Sequence, residues 1–323
     1  MFKIFIGVLC LITGSAGDDK VMISSKAADI DYSELAREAE TNKRNILQFL
    51  NESRVQQMYQ HMFKNLLKKL AGDRCKNNPV RSTRRIVAGH NTSIAAVPWQ
   101  VSLRDKTYPI CGGSVLTDLW ILTAAHCLIK ARSIDLSVRL GSSWKTHGGE
   151  MYDVKECFVH PRYASTTKAN DVGLVRLYSP LRFSARVLPI RMVAKEMRLE
   201  AIKPAVISGW GKLRESGSSA TFLQSSSINT IAMKCCRRSG LDRNAIDPAS
   251  MFCAGSFSQP SPDACQGDSG GPIVSEGVLI GVVSWGLGCA RGNFPGVYAR
   301  LAHPVIWDWV HTHITRPHDN PAM

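Results

Sequence analysis

After Arg85 the chain is divided by Gly and Pro into short apolar runs. "WQVSLR", "YDVKECFVH" and "GPIVSEGVLIGVVSW" either alternate apolar with polar residues or are rich in β-branched ones. Strand-like runs this short and closely spaced point to an all-β sandwich or barrel. Near the end, "HPVIWDWVHTHI" changes period. Val305, Trp309 and His313 share one helical face and Ile306 and Val310 another, which predicts a C-terminal helix. No internal repeat recurs at a fixed spacing. A length of 323 residues allows two or three compact units, and 44% hydrophobic with 20% charged residues fits a soluble globular chain.

The first 85 residues have a different texture. "MFKIFIGVLCLITGSAG" has one early Lys, an apolar core from Phe5 to Ile12 and small residues after it, the pattern of a secretory signal peptide over 1–17. The run is too short to span a bilayer comfortably, and no second long apolar run follows. The expectation is a soluble protein, extracellular or held in a secretory vesicle, with no transmembrane span. From Ser33 to Leu70 a polar stretch without proline carries Ile46, Leu50, Met58, Met62, Leu66 and Leu70 at spacings of four or eight. Leu47, Val55, Tyr59 and Phe63 widen that stripe into an amphipathic helix. "AGDRCKNNPVRSTRR" ends the helix with Gly72 and Pro79 and reads as an exposed, protease-sensitive linker. The domains are therefore 1–17, a helical segment with linker at 18–85, and 86–323.

The formal net charge is +14. Lys and Arg are not interleaved with aromatics in blocks, so the charge reads as a basic surface and no nucleic-acid partner is expected. Ten cysteines on a secretory route imply disulfides, and removing Cys10 with the signal leaves an odd number. "NES" at Asn51 and "NTS" at Asn91 are glycosylation sequons.

The chemistry is concentrated in "DACQGDSGGP", residues 263–272. A serine hydroxyl is a poor nucleophile at neutral pH unless a base lies within hydrogen-bond reach and a further group orients that base. "LTAAHC" supplies His126, and "ANDVGLVRL" supplies Asp171 at the start of an apolar run, where a buried carboxylate can hold an imidazole in one tautomer. Each of these residues alone has an ordinary structural reading. The three together, in the order His, Asp, Ser, do not.

On these motifs residues 86–323 resemble the chymotrypsin/trypsin-like serine endopeptidases, whose chain order differs from that of subtilisin and the α/β-hydrolases. The resemblance implies two six-stranded antiparallel β-barrels, about 86–205 and 206–300, with a C-terminal helix and the site in the cleft between the barrels. It implies the roles of the general triad template: Ser269 attacks, His126 shuttles the proton, and Asp171 orients His126. Backbone N–H groups of Gly267 and Ser269 would form the oxyanion hole. Ser284, Trp285 and Gly286 would line the substrate, Gly286 and Gly296 would keep the primary pocket open, and Asp263 would stand at its floor. That acid selects Arg or Lys before the scissile bond, and Ala264, where some relatives have serine, tilts the choice toward Arg. Lys168 would line the next subsite and disfavour basic residues there. No cofactor and no metal are implied. Ser142 stands where the calcium loop of trypsins needs an acid, and Gly173 stands where alanine is usual.

"STRRIVAGH" extends the resemblance to activation. Cleavage between Arg85 and Ile86, by a trypsin-like protease or by the enzyme itself, would free an ammonium at Ile86 to pair with Asp268. The uncut chain would then be a zymogen. The implied disulfides are Cys111–Cys127, Cys265–Cys289, and Cys253 with either Cys235 or Cys236. A further pair common in relatives is replaced by Ala205 and Ser275. Cys75, Cys157 and one of Cys235/Cys236 are left without assignment, and residues 183–204 hold no cysteine to tether the leading segment. The implied partners are protein or peptide substrates, the activating protease and protein inhibitors. The rival reading is a non-catalytic binding protein on the same fold.

Overall fold

A computed structural model describes residues 89–199, 203–257, 263–289, 291 and 293–315. The signal peptide, the helical segment, Asn51, Cys75, Arg85 and Ile86 lie outside the described residues. The chain divides into two compact units, Met1–Lys69 and Leu70–Met323, and every described residue belongs to the second.

Thirteen strands are described, beginning with the two-residue β1 (His90–Asn91). The first barrel comprises β2 (Gln100–Asp105), β3 (Tyr108–Val115), β4 (Trp120–Thr123), β5 (Leu136–Leu140), β6 (Glu150–Val159) and β7 (Gly173–Leu177). They close in the order β2-β3-β4-β7-β6-β5, all antiparallel, with β5 returning to β2. The second barrel comprises β8 (Pro204–Gly209), β9 (Gln224–Ile231), β10 (Met251–Gly255), β11 (Pro272–Ser275), β12 (Val278–Trp285) and β13 (Gly296–Arg300). Here β9-β10-β13-β12-β11-β8 closes because β8 pairs back onto β9, and β1 adds to the β9 edge.

The sequence pattern explains these elements. Val101 and Leu103 of β2 are fully buried at alternate positions, and Gln100, Ser102 and Arg104, which alternate with them, are buried too, because the strand is covered on both faces. Gln100 takes the O–H of Ser208 on β8 at 2.6 Å, a buried polar bond from one barrel to the other. β12 is a near-continuous apolar run, with Leu279, Ile280, Val282 and Val283 buried. It folds back from β11 through Glu276 and Gly277, both at positive φ (51° and 74°), the geometry a two-residue hairpin turn needs.

Three α-helices are described: one-turn α1 (Ala125–Leu128), one-turn α2 (Met233–Cys236) and the C-terminal α3 (Pro304–Thr315). α3 starts on proline, whose missing N–H costs nothing at that position. Its inner stripe is Ile306 and Val310, both 0% exposed, each stabilising the fold by about 1.5–3 kcal/mol through burial. The second stripe packs on the first barrel. His313 meets Phe158 with ring centroids 5.1 Å apart and Trp120 at 6.2 Å, and Trp309 meets His160 at 5.0 Å. A helix that follows the second barrel in sequence therefore fastens the first.

Disulfides Cys111–Cys127, Cys236–Cys253 and Cys265–Cys289 are formed, which settles the Cys235/Cys236 alternative in favour of Cys236. Cys157 is a free thiol whose burial pushes its pKa up to about 11. Ala205 and Ser275 are close, since Val206 and Val274 beside them are register partners. The Ser275 hydroxyl donates to the Pro204 carbonyl at 2.7 Å.

Candidate active site

His126 sits in the single turn of α1, which the Cys111–Cys127 disulfide clamps to β3. Asp171 lies just before β7 and is 1% exposed. One of its carboxylate oxygens accepts the His126 backbone N–H at 3.0 Å, and the other faces the imidazole Nδ1 at 2.7 Å. That second oxygen also takes the O–H of Ser284, at 2.5 Å from β12 of the other barrel. The carboxylate thus fixes both the backbone and the ring of His126, and a third bond reaches it from across the interface. Gly173 follows closely. A methyl there would lie 2.7 Å from the Leu128 side chain of α1, so the glycine that stands where alanine is usual makes room for Leu128.

Ser269 lies in the tight segment before β11 and is half-buried. Its carbonyl accepts the Gly112 N–H at 2.7 Å, tying the segment to the first barrel. The approach is close: a methyl on Gly112 would lie 2.9 Å from the Gly271 Cα. Gly270, at φ +79°, would place a methyl 2.6 Å from the Gly112 carbonyl. The backbone N–H groups of Asp268, Gly270 and Gly271 are each bonded to a carbonyl, whereas those of Gly267 and Ser269 donate to no described group. Gly267, at φ +99°, carries no side chain over the two free donors.

Asp268 is turned the other way, into the second barrel. Its carboxylate accepts the N–H of Gly211 at 2.8 Å and of Cys265 at 3.0 Å. Side chains at Gly209 or Gly211 would collide with it. Burial raises its pKa to about 6, although both backbone bonds and the more distant Lys145 ammonium pull the other way. The acid is therefore held by dipoles in a place where a full positive charge would be strongly favoured.

Asp263 is 4% exposed and one of its carboxylate oxygens accepts the Ala264 N–H at 2.9 Å. The place a side chain on Gly296 would occupy is 2.7 Å from that oxygen and 3.0 Å from the Tyr298 hydroxyl. Tyr298 is fully buried, and its hydroxyl has no hydrogen-bond partner among the described residues. Burial raises its pKa well above the ordinary value, helped by Asp263 and Asp268. A carboxylate and a hydroxyl therefore converge above a glycine. Cys265–Cys289 braces this floor, and Ser284, Trp285 and Gly286 run past it at the end of β12. Beyond them Arg291 makes two bonds, of 2.8 and 2.6 Å, to Glu215 over Gly288.

Other residues are placed as follows. Lys168 has φ +63°, and its ammonium donates to the Tyr163 hydroxyl at 3.1 Å. Ser142 holds its own loop, donating to the His147 carbonyl at 2.7 Å and accepting the Trp144 N–H at 3.0 Å. Cys111, His126 and Cys127 lie close enough to share a metal ion, but the sulfurs are spent in a disulfide and the ring faces Asp171. Asn91 is exposed on β1, and its side-chain oxygen accepts from Gln224 at 2.7 Å. No helix among the described residues is long and apolar enough to cross a membrane. Sequence reasoning missed the Tyr298 hydroxyl and the Ser284 hydroxyl on Asp171. Both are contacts between residues far apart in the chain that no local motif spells out.

The trypsin family model matches residues 86–310. Trypsin 5G1 of Aedes aegypti is 38% identical over 234 residues, 72% of this chain and 86% of that protein. Trypsin beta of Drosophila erecta is 42% identical over 225 residues, covering 69% and 87%, and a trypsin of Phaedon cochleariae is 35% identical over 227, covering 70% and 86%. With two closed barrels, a C-terminal helix and this match, the chain belongs to the trypsin family and is a serine endopeptidase.

Proposed function

We propose that this protein is a secreted zymogen which, once cut between Arg85 and Ile86, hydrolyses peptide bonds after Arg or Lys. The observation that carries the specificity is the buried Asp263 carboxylate beside the Tyr298 hydroxyl over Gly296. A cationic substrate side chain would bring a full opposite charge to that buried carboxylate, which an apolar one cannot. A guanidinium satisfies the carboxylate with two parallel N–H donors. Ala264 next to Asp263 offers no hydroxyl, which favours Arg over Lys.

The arrangement supports the following catalytic roles. With Nδ1–H donated to Asp171, His126 presents Nε2 as the acceptor, so it is set to take the proton of Ser269 as the hydroxyl attacks the scissile carbonyl. The same proton then passes to the leaving amine. The tetrahedral oxyanion falls to the free N–H groups of Gly267 and Ser269, and losing one such donor costs on the order of 100- to 1,000-fold in turnover. Water repeats the sequence on the acyl-enzyme and releases the acid.

Activation rests on Asp268. Arg85 and Ile86 lie outside the described residues, so the support is the acid itself: buried, held by two backbone donors, and flanked by the chain that carries Gly267 and Ser269. An ammonium at Ile86 would complete it and fix both oxyanion donors. Asn91, exposed on β1, is a candidate glycan carrier, as is Asn51 outside the described residues.

The test is hydrolysis of matched peptides bearing Arg, Lys or Leu before the scissile bond, with the secreted protein before and after limited tryptic cutting. Arg peptides are expected to be cut well ahead of Lys, with Leu lower by roughly four orders of magnitude, and only once Ile86 is the N-terminus. Preference for Leu, or full activity in the uncut chain, would overturn the reading.

A further inference from the structure

The cysteine count closes in a way the motifs alone do not indicate. Of ten cysteines, six form the three described pairs and Cys157 is a thiol. Cys235 is also disulfide-bonded, although every other described cysteine is accounted for. Its partner is therefore one of the two cysteines outside the described residues, Cys10 or Cys75. Cys10 lies in the apolar run read as a signal peptide, and it belongs to the first compact unit. Cys75 belongs to the same unit as Cys235.

From this we infer that Cys75 and Cys235 form a disulfide that keeps the 18–85 segment covalently attached to the protease after the Arg85–Ile86 bond is cut. The inference rests on the zymogen reading for the cut, but not for the bond. Formation is thiol–disulfide exchange: two thiols give one S–S bond, and their two electrons and two protons reduce a protein disulfide of the secretory route to its dithiol. Activation is a separate hydrolysis that leaves a carboxylate on Arg85 and an ammonium on Ile86 and does not touch sulfur.

The anchor is well placed to persist. Cys235 is 5% exposed on α2, next to the Cys236–Cys253 bond. α2 packs into an apolar cluster with Leu241, Ile246, Met251 and Val297, against which Trp285 of the substrate wall also rests. The leading segment would thus stay fastened to the second barrel on the element that backs the pocket wall, rather than to a loop between the barrels. The tethered segment ends at Arg85 once the bond is cut, so the disulfide at Cys75 does not hold Ile86 and leaves the new terminus free to travel to Asp268. The mature enzyme would be a two-chain molecule that carries its amphipathic segment permanently.

The experiment uses the full secreted chain. Tryptic digestion without reduction, followed by mass spectrometry, should give one three-peptide cluster: Cys75–Lys76, Cys235–Arg237, and the peptide 244–291 that carries Cys253. Neighbouring Cys235 and Cys236 cannot be separated by cleavage, so Cys235→Ser assigns the bond: Cys75 should then alkylate, while Cys236 stays linked to Cys253. On gels, protein cut to expose Ile86 should release the leading fragment only after reduction, whereas the Cys235→Ser protein should release it without. Mapping of the unsubstituted protein does not depend on the variant folding. Cys75 alkylated in the unsubstituted protein, or linked to Cys157 or to a second chain, would overturn the inference. Failure to find an Ile86 terminus, with the cluster intact, would count against the zymogen reading and leave the bond standing.

Discussion

Asp268 makes the activation proposal quantitative. Its carboxyl is buried with two backbone N–H donors, and burial raises its pKa from 3.8 to about 6. Between those values the folded uncut chain binds more protons than the unfolded one, so stability falls as pH rises through the window and is level above it. A shift of about two pH units corresponds to about 3 kcal/mol. Cutting at Arg85 supplies the Ile86 ammonium, which favours the charged carboxylate and removes the penalty. Urea unfolding of the Ser269→Ala protein, followed by tryptophan fluorescence from pH 4 to pH 7.5, reads this directly. The uncut form is expected to lose about 3 kcal/mol more over that range than the cut form. Asp268→Asn should flatten the uncut profile, yet in the cut form it leaves the ammonium without its partner and costs about 3–5 kcal/mol together with the activity. Parallel profiles for the two forms, or Asp268→Asn behaving alike in both, would refute the reasoning.

Three further outcomes are expected. Ser284→Ala removes the O–H that Asp171 accepts at 2.5 Å. A hydrogen bond to a charged group of this kind stabilises by about 1.5–3 kcal/mol, so kcat on Arg peptides should fall by about 10-fold or more with KM little changed. Gly270→Ala forces a methyl against the Gly112 carbonyl at a positive φ, and urea unfolding should show a loss of about 3 kcal/mol or a failure to fold. Cys157, with its pKa near 11, should be about one part in a thousand thiolate at pH 8 and resist alkylation in the native protein, with fast labelling restored by denaturant.

The local motifs made much of this legible. Catalysis by a serine demands particular residue types, and "AAHC", "NDVG" and "GDSGGP" each present one of them within a few residues of sequence. The barrels were readable in outline because β2, β6 and β12 carry strand patterns, although which strand closes on which is set by packing between distant segments. Contacts across the barrel interface were not readable. From sequence Ser284 is expected only to line the substrate, and its hydroxyl reaching Asp171 depends on segments of different barrels meeting. Tyr298 is one aromatic residue in "GVYAR", and only the fold brings its hydroxyl over Gly296 beside Asp263. At Gly173 the sequence shows only a glycine where alanine is usual, and the fold shows the Leu128 side chain in the space a methyl would take. Adjacent Cys235 and Cys236 are indistinguishable by motif, because the turn of α2 decides which sulfur faces Cys253.

The central claim is that Ser269 is a nucleophile switched on by a terminus at Ile86. The most direct measurement is labelling of the full secreted chain with a fluorophosphonate, before and after the cut, with the modified residue located by mass spectrometry. The expected result is stoichiometric label on Ser269 in the cut form and labelling at least 100-fold slower in the uncut form. Equal labelling of both forms, label on another residue, or none despite a clean Ile86 terminus would contradict the account.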